Sequence, residues 1–234
     1  MALDKIVHKN ILIQILKDIF GHHDLGPLLG FKGGTAAYLF YGLPRFSVDL
    51  DFDLLDASQE YFVFEEVKNL LEKRGTVKEA EKKRFNLFYS LSYDNKAPGA
   101  QNIKVEINRR AFGSKYAVKQ YLGIAMKVMV EEDMAAHKFM AMLERLGKTN
   151  RDIFDVWYFL EKRWPINKEL MEKRAGISFK EFLQKCINEL ERMSNDNILA
   201  GMGELLDEKQ KAWAKANLKK DAIFWLKVRL EQEK

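Results

Sequence analysis

The chain has 234 residues, enough for one large domain or two modest ones with a real core. Apolar residues make up 47% and charged residues 31%, which excludes a disordered chain, and no apolar run approaches the roughly 20 residues that span a bilayer. A net charge of +5 favours polyanionic partners such as nucleotides or RNA, and the single cysteine, Cys186, excludes an intrachain disulfide.

In chain order, residues 3–20 read as an amphipathic helix, with Ile6, Ile11, Ile13, Leu16 and Phe20 at helical spacing and Gly21 after its end. Leu28 to Phe31 suits a buried strand, broken by Gly33-Gly34. Thr35 is placed to cap a short helix through about Tyr41, which Gly42-Leu43-Pro44 ends. Val48 to Leu55 alternates apolar and acidic residues as a half-buried strand does. Ser58-Gln59 open a helix to about Arg74, and Thr76 to Tyr93 reads as two strands joined by a basic turn. Asp94 to Gly99 has turn composition, and Ile103 to Asn108 is another alternating strand. Tyr116 to Val130 holds one or two strands, or a strand and a short helix. From Glu131 the period turns helical, over 131–146, 151–163, 178–192 and 208–231. This shift predicts an α/β unit over 1–130 and a helical unit over 131–234. Basic residues recur at Lys82-Lys83-Arg84, Arg109-Arg110, Lys138 to Arg151 and Lys209 to Lys227. The Met1-Ala2-Leu3-Asp4-Lys5 start has no signal-peptide pattern, and with the lone cysteine it points to a cytoplasmic protein without a membrane segment.

The strongest chemical signal is Val48-Asp49-Leu50-Asp51-Phe52-Asp53. In a strand the three aspartates share one face, spaced roughly 7 Å along the backbone, while Val48, Leu50 and Phe52 pack on the other. Like charges gathered beside a core strand repel, and a divalent cation would remove that cost. Oxygen-only ligands suit Mg²⁺ or Mn²⁺. An isolated Asp-x-Asp is more often a solvated edge strand. The Gly33-Gly34-Thr35 turn upstream shifts the balance, because a tight turn at a helix start cradles phosphate. Asp49 and Asp51 are the expected metal ligands, and Asp53 is left outside the set. Glu106 in Lys104-Val105-Glu106-Ile107-Asn108 offers a third acid, as base or ligand; its plainer role is a surface charge pair with Lys104.

In the helical part, Lys138 and Arg145 are seven residues apart and lie along one face. Arg151, Asp152 and Asp155 follow, with Arg151 and Asp155 spaced for an i,i+4 pair. Taken singly, each reads as ordinary helix-surface charge. As a group they supply cations for a triphosphate, led by Lys138 and oriented by the aspartates. His22-His23 and His137 lack the partners a metal site needs, and Trp157, Tyr158 and Phe159 read as core.

The strings Phe31-Lys32-Gly33-Gly34-Thr35-Ala36 and Pro44-Arg45-Phe46-Ser47-Val48-Asp49-Leu50-Asp51-Phe52 resemble the first motif of AbiEii/AbiGii-type nucleotidyltransferase toxins. Glu106, Lys138, Arg145 and Arg151-Asp152-Ile153-Phe154-Asp155 resemble that family's later motifs, over residues 30 to 160. The resemblance implies a polymerase-beta-like nucleotidyltransferase domain, α/β (α+β) with a mixed sheet, followed by a helical bundle. It implies Mg²⁺-dependent transfer of a nucleoside monophosphate from an NTP to an acceptor hydroxyl, with tRNA 3′ ends or other RNA as acceptor and a cognate antitoxin as partner. Asp49, Asp51, Glu106, Lys138, Asp152 and Asp155 then take catalytic places. Lys32, Gly33, Gly34, Thr35, Arg45, Ser47 and Arg151 take nucleotide-binding ones. The third acid is Glu where many nucleotidyltransferases carry Asp. Two other classes fit the same residues: an inactive binding module for RNA or protein, and an enzyme that adenylylates an antibiotic.

Overall fold

Asp4 starts the first helix by accepting the backbone N–H groups of Ile6 and Val7 at 3.0 Å, which satisfies two donors that have no intrahelical partner. The computed structural model describes residues 3–93 and 102–233. Helix α1 (Lys5–Gly21) buries His8, Leu12, Ile15, Leu16 and Ile19, a stripe at helical spacing. The expected turn at Asp94 to Gly99 lies outside the described residues.

The chain divides into two compact units, Met1–Val130 and Glu131–Lys234. In the first, seven strands form one mixed sheet: β1 (Leu29–Lys32), β2 (Leu50–Leu54), β3 (Thr76–Lys82), β4 (Asn86–Ser92), β5 (Asn102–Asn108), β6 (Tyr116–Tyr121) and β7 (Ile124–Met129). Their order is β3-β4-β5-β2-β1-β7-β6. The β2–β5 and β1–β7 pairs are parallel and the others antiparallel. The chain between Tyr116 and Val130 is thus two strands, turned at Leu122-Gly123 with φ of 49° and 79°.

Helices α2 (Gly33–Phe40) and α3 (Glu60–Glu72) complete this unit. Phe52 meets Phe20 of α1 and Phe31 of β1 at ring-centroid distances of 6.1 and 5.3 Å. Leu50 and Phe52 therefore face the helix, and Asp51 and Asp53 face away from it. Arg74 closes the end of α3 onto α1 with two bonds to the Asp18 carboxylate, 2.6 and 2.7 Å.

Two local expectations are corrected. Thr35 does not cap α2: the helix begins at Gly33, the N-cap position is Lys32, and the Thr35 hydroxyl is turned to the carbonyl of Asp49. The regular strand begins at Leu50, which leaves Asp49 on the irregular segment that enters it.

The second unit is helical: α4 (Glu131–Arg145), α5 (Arg151–Glu161), α6 (Lys168–Ala175), α7 (Phe179–Arg192), α8 (Glu208–Trp213) and α9 (Lys219–Glu231). Helix α6 has no counterpart among the sequence-based expectations because it buries only Leu170 and Met171, too few to print a period. Its signals are at its ends, an Asn167 N-cap and Gly176 at φ 71°. The predicted helix 208–231 is interrupted by a π-helical stretch at Ala214–Leu218, next to the packed indoles of Trp157 and Trp213. No described helix is long and apolar enough to cross a membrane.

Candidate active site

Asp51 lies within β2, and its strand neighbours are Lys32 on β1 and Glu106 on β5. Residues in register on adjacent strands project to the same face, so Asp51 and Glu106 stand side by side away from α1. Asp49 lies two residues before Asp51, and its Oδ1 accepts the Lys104 N–H at 3.3 Å.

The backbone around Asp49 is pinned from two sides. The Thr35 hydroxyl donates to the Asp49 carbonyl at 2.5 Å, and His8 Nε2 donates to the Val48 carbonyl at 2.8 Å. The second ring nitrogen, Nδ1, then accepts from the Tyr93 hydroxyl at 2.8 Å, the neutral tautomer that satisfies both contacts. Burial lowers the His8 pKa, which keeps the ring neutral and the arrangement intact. Sequence reasoning missed His8, although it falls on the buried stripe of α1 four residues before Leu12.

Gly33 and Gly34 each allow a close approach. Gly33 has φ +80°, and a Cβ there would sit 2.2 Å from Asp51 Oδ2. A Cβ on Gly34 would meet Ser47 Oγ at 2.8 Å and an Arg45 nitrogen at 3.0 Å. The pair of glycines thus lets the turn lie directly on the acidic strand and on the buried Arg45 and Ser47 side chains. No side chain caps the N-terminus of α2. Gly33→Ala combines a left-handed φ with that clash, so it is expected to cost about 1–3 kcal/mol of stability in thermal unfolding. Gly21→Ala, with open space around its Cβ, is the control that should stay near wild type.

Glu106 has a raised pKa. Burial is the main cause, followed by the charge of Asp51, and Asp49 adds to it; a hydrogen bond from Asn86 Nδ2 at 2.8 Å and the charge of Lys104 act the other way. Glu106 therefore feels the charges of both aspartates. Among the described residues no group of three or more His, Cys, Asp and Glu side chains is arranged to hold a metal ion. Asp49 Oδ1 and Glu106 Oε2 are each engaged by a protein donor. The donor chemistry still fits a hard divalent cation, since mutually repelling carboxylate oxygens are what such an ion neutralises.

Asp53 shares the strand face and is a structural residue. It is 7% exposed, and its carboxylate is bound by Lys32 Nζ at 2.5 Å, by Asn108 Nδ2 at 2.7 Å and by the Tyr116 hydroxyl. Lys32, expected among the nucleotide contacts, is turned to this buried acid.

In the helical unit the expectation of surface charge fails for Lys138, Asp152 and Asp155. Asp152 and Asp155 have fully buried side chains. Lys138 Nζ lies 2.9 Å from Asp152 Oδ1 and 2.7 Å from Asp155 Oδ2, and Arg145 reaches Asp152 Oδ2 at 3.1 Å. Lys138 thus bridges the two buried acids, while Arg145 is 39% exposed and reaches Asp152 alone. Arg151 opens α5 and is half-buried. The His137 ring contacts Arg174.

The family model described as nucleotidyl transferase AbiEii toxin, type IV TA system, matches residues 14–219. No curated protein matches the chain. Among solved structures, a candidate nucleotidyltransferase from H. pylori aligns with a TM-score of 0.62 and 20% identity, covering 100% of this chain and 99% of that one. JHP933 from Helicobacter pylori aligns at 0.59 and 19%, covering 100% and 98%. MenT4, a nucleotidyltransferase toxin from Mycobacterium tuberculosis H37Rv, aligns at 0.59 and 17%, covering 95% and 85%. At these identities the three structures speak for the fold.

Proposed function

The chain belongs to the AbiEii nucleotidyl transferase toxin family, and from that premise we propose that it transfers a nucleoside monophosphate from an NTP to an acceptor hydroxyl on RNA, with a tRNA 3′ end as the first acceptor to test. The observation that carries this reading is the register of Asp51 with Glu106, beneath a glycine turn that lies on the Asp51 carboxylate.

In this proposal the backbone N–H groups at Gly33 and Gly34 and the start of α2 receive phosphate oxygens, where the uncapped helix terminus favours negative charge. Asp49 and Asp51 would hold Mg²⁺ or Mn²⁺, with Glu106 as the third ligand or the base. When bound, the ion supplies charge neutralisation to the triphosphate. Glu106, side by side with Asp51, is the proposed proton acceptor for the acceptor hydroxyl, and its raised affinity for protons improves it as a base. His8 and Thr35 hold the peptide groups on either side of the Asp49 α-carbon, so that carboxylate keeps its position. Arg45 and Ser47 support the turn from below. Lys138 and Arg151 are proposed phosphate contacts, with Asp152 and Asp155 fixing Lys138. The partner expected to restrain the toxin is a cognate antitoxin, and a cytoplasmic location would bring both to RNA.

Asp51 and Glu106 in register, with Asp49 near enough to act on Glu106, favour this reading over an inactive binding module, which gains nothing from keeping like charges together. The test is incubation with each radiolabelled NTP and total RNA. Label is expected to enter an RNA band, and chelation of divalent cations is expected to reduce the transfer at least about a hundredfold. Label transferred equally well in excess chelator would remove the metal from the proposal, and no transfer to any RNA would remove the acceptor.

A further inference from the structure

The basic residues Lys82-Lys83-Arg84 and Arg109-Arg110, prominent in the sequence, are brought together by the sheet. The first group turns β3 into β4, and the second follows β5. Asn86 and Asn108 are register partners, and Arg109 N–H donates to the Phe85 carbonyl at 2.8 Å. The β3–β4 tip therefore stands beside the end of β5.

At this tip cations lie against aromatic rings. The guanidinium carbons of Arg84 and Arg110 are both 4.8 Å from the Phe85 centroid. Lys82, the register partner of Leu87, turns to the other face, where its Nζ is 4.7 Å from the centroid of Tyr61 on α3. Phe85 is 45% exposed. Arg109 has a structural task, held by Glu60 at 2.6 Å. By contrast, among the described residues neither Arg84 nor Arg110 is paired with a carboxylate. Lys83 is paired, with Glu79 at 2.9 Å, and it marks direction instead: its Nζ sits 3.6 Å over Phe88, the register partner of Glu106. Register partners share a face, so the tip leads onto the sheet face that carries Glu106 and Asp51.

We propose that the β3–β4 tip is a binding track for a single-stranded polynucleotide, with Phe85 as a stacking platform and Arg84 and Arg110 as phosphate contacts. An exposed aromatic ring between cations that no carboxylate pairs forms the surface that unpaired nucleotides recognise, because each base offers a π-face and each linkage a charge. A duplex hides its bases and would use only the cations. The inference rests on the proposed transfer reaction for its direction alone: the track runs to the acid assigned to the acceptor hydroxyl.

The test is fluorescence anisotropy of the full chain with a labelled oligouridylate of roughly ten nucleotides, and with a duplex of the same length. The single strand should bind more tightly than the duplex. Phe85→Ala and Arg84→Glu should each weaken that binding about tenfold, and Arg84→Glu should also flatten its salt dependence. Both positions are exposed, thermal unfolding should match wild type, and NTP affinity should be unchanged. Single-strand affinity unchanged in both variants, or a duplex bound as tightly as the single strand, would overturn the track. Failure here with labelled RNA still produced leaves the transfer reaction standing. Oligouridylate binding that responds as expected in a chain without transfer separates the opposite case.

Discussion

Asp51→Asn should leave a protein that folds at least as well as wild type and transfers nucleotides about a thousandfold more slowly or worse. The two halves of this result come from one contact. Asp51 is half-buried beside Glu106 and is the leading charge that raises the Glu106 pKa. A carboxyl whose folded pKa stands above its unfolded value loses stability as pH rises from the unfolded value through the folded one. Removing the Asp51 charge brings Glu106 back toward its ordinary value, so the decline above about pH 4.5 becomes shallower and stability at neutral pH rises slightly. Asparagine keeps the shape, and the Gly33 turn still closes on it. What disappears is the negative charge that the proposed cation site needs. Thermal unfolding across pH, set beside transfer of labelled nucleotide to RNA, measures both. A stability gain with near-normal transfer would show that Asp51 is not a metal ligand; a large stability loss would show that its charge serves the fold.

Much of this site was legible because strand alternation and glycine turns are local. Val48 to Phe52 announced one apolar and one acidic face, and the helix packing of Phe52 sets the acidic face on the opposite side. What the sequence could not state is register. Alternation places Asp51 and Asp53 on equal terms, yet one faces Glu106 and the other is enclosed by Lys32, Asn108 and Tyr116. Those three partners come from β1, β5 and β6, and only the pairing of strands distant in sequence brings them together. His8 shows the same limit, since its place on the α1 stripe was visible while its bond to the Val48 carbonyl spans 40 residues. The helices followed their apolar period where burial is strong, as in α7, and escaped it where burial is slight, as in α6.

Lys138→Met tests the other set of charges, where fold and function have to be separated. Asp152 and Asp155 have no solvent contact, and Lys138 is bound to both within 3 Å. Taking away the ammonium removes the cation the two acids share, and Arg145, which reaches Asp152, is itself 39% exposed and only partly compensating. Breaking a buried pair in this way costs about 3–5 kcal/mol, so the single variant should unfold at markedly lower denaturant. Its loss of nucleotide binding would then say little, because a loosened bundle binds poorly for any reason. Adding Asp155→Asn removes the excess negative charge and should recover a large part of the stability, a coupling that a double-mutant cycle reads directly. The repaired double variant carries the decisive measurement. If Lys138 serves only to neutralise buried acids, NTP affinity returns with the fold. If it contacts phosphate, affinity stays at least about tenfold weaker although the bundle is intact, because no other group has taken the place of the ammonium.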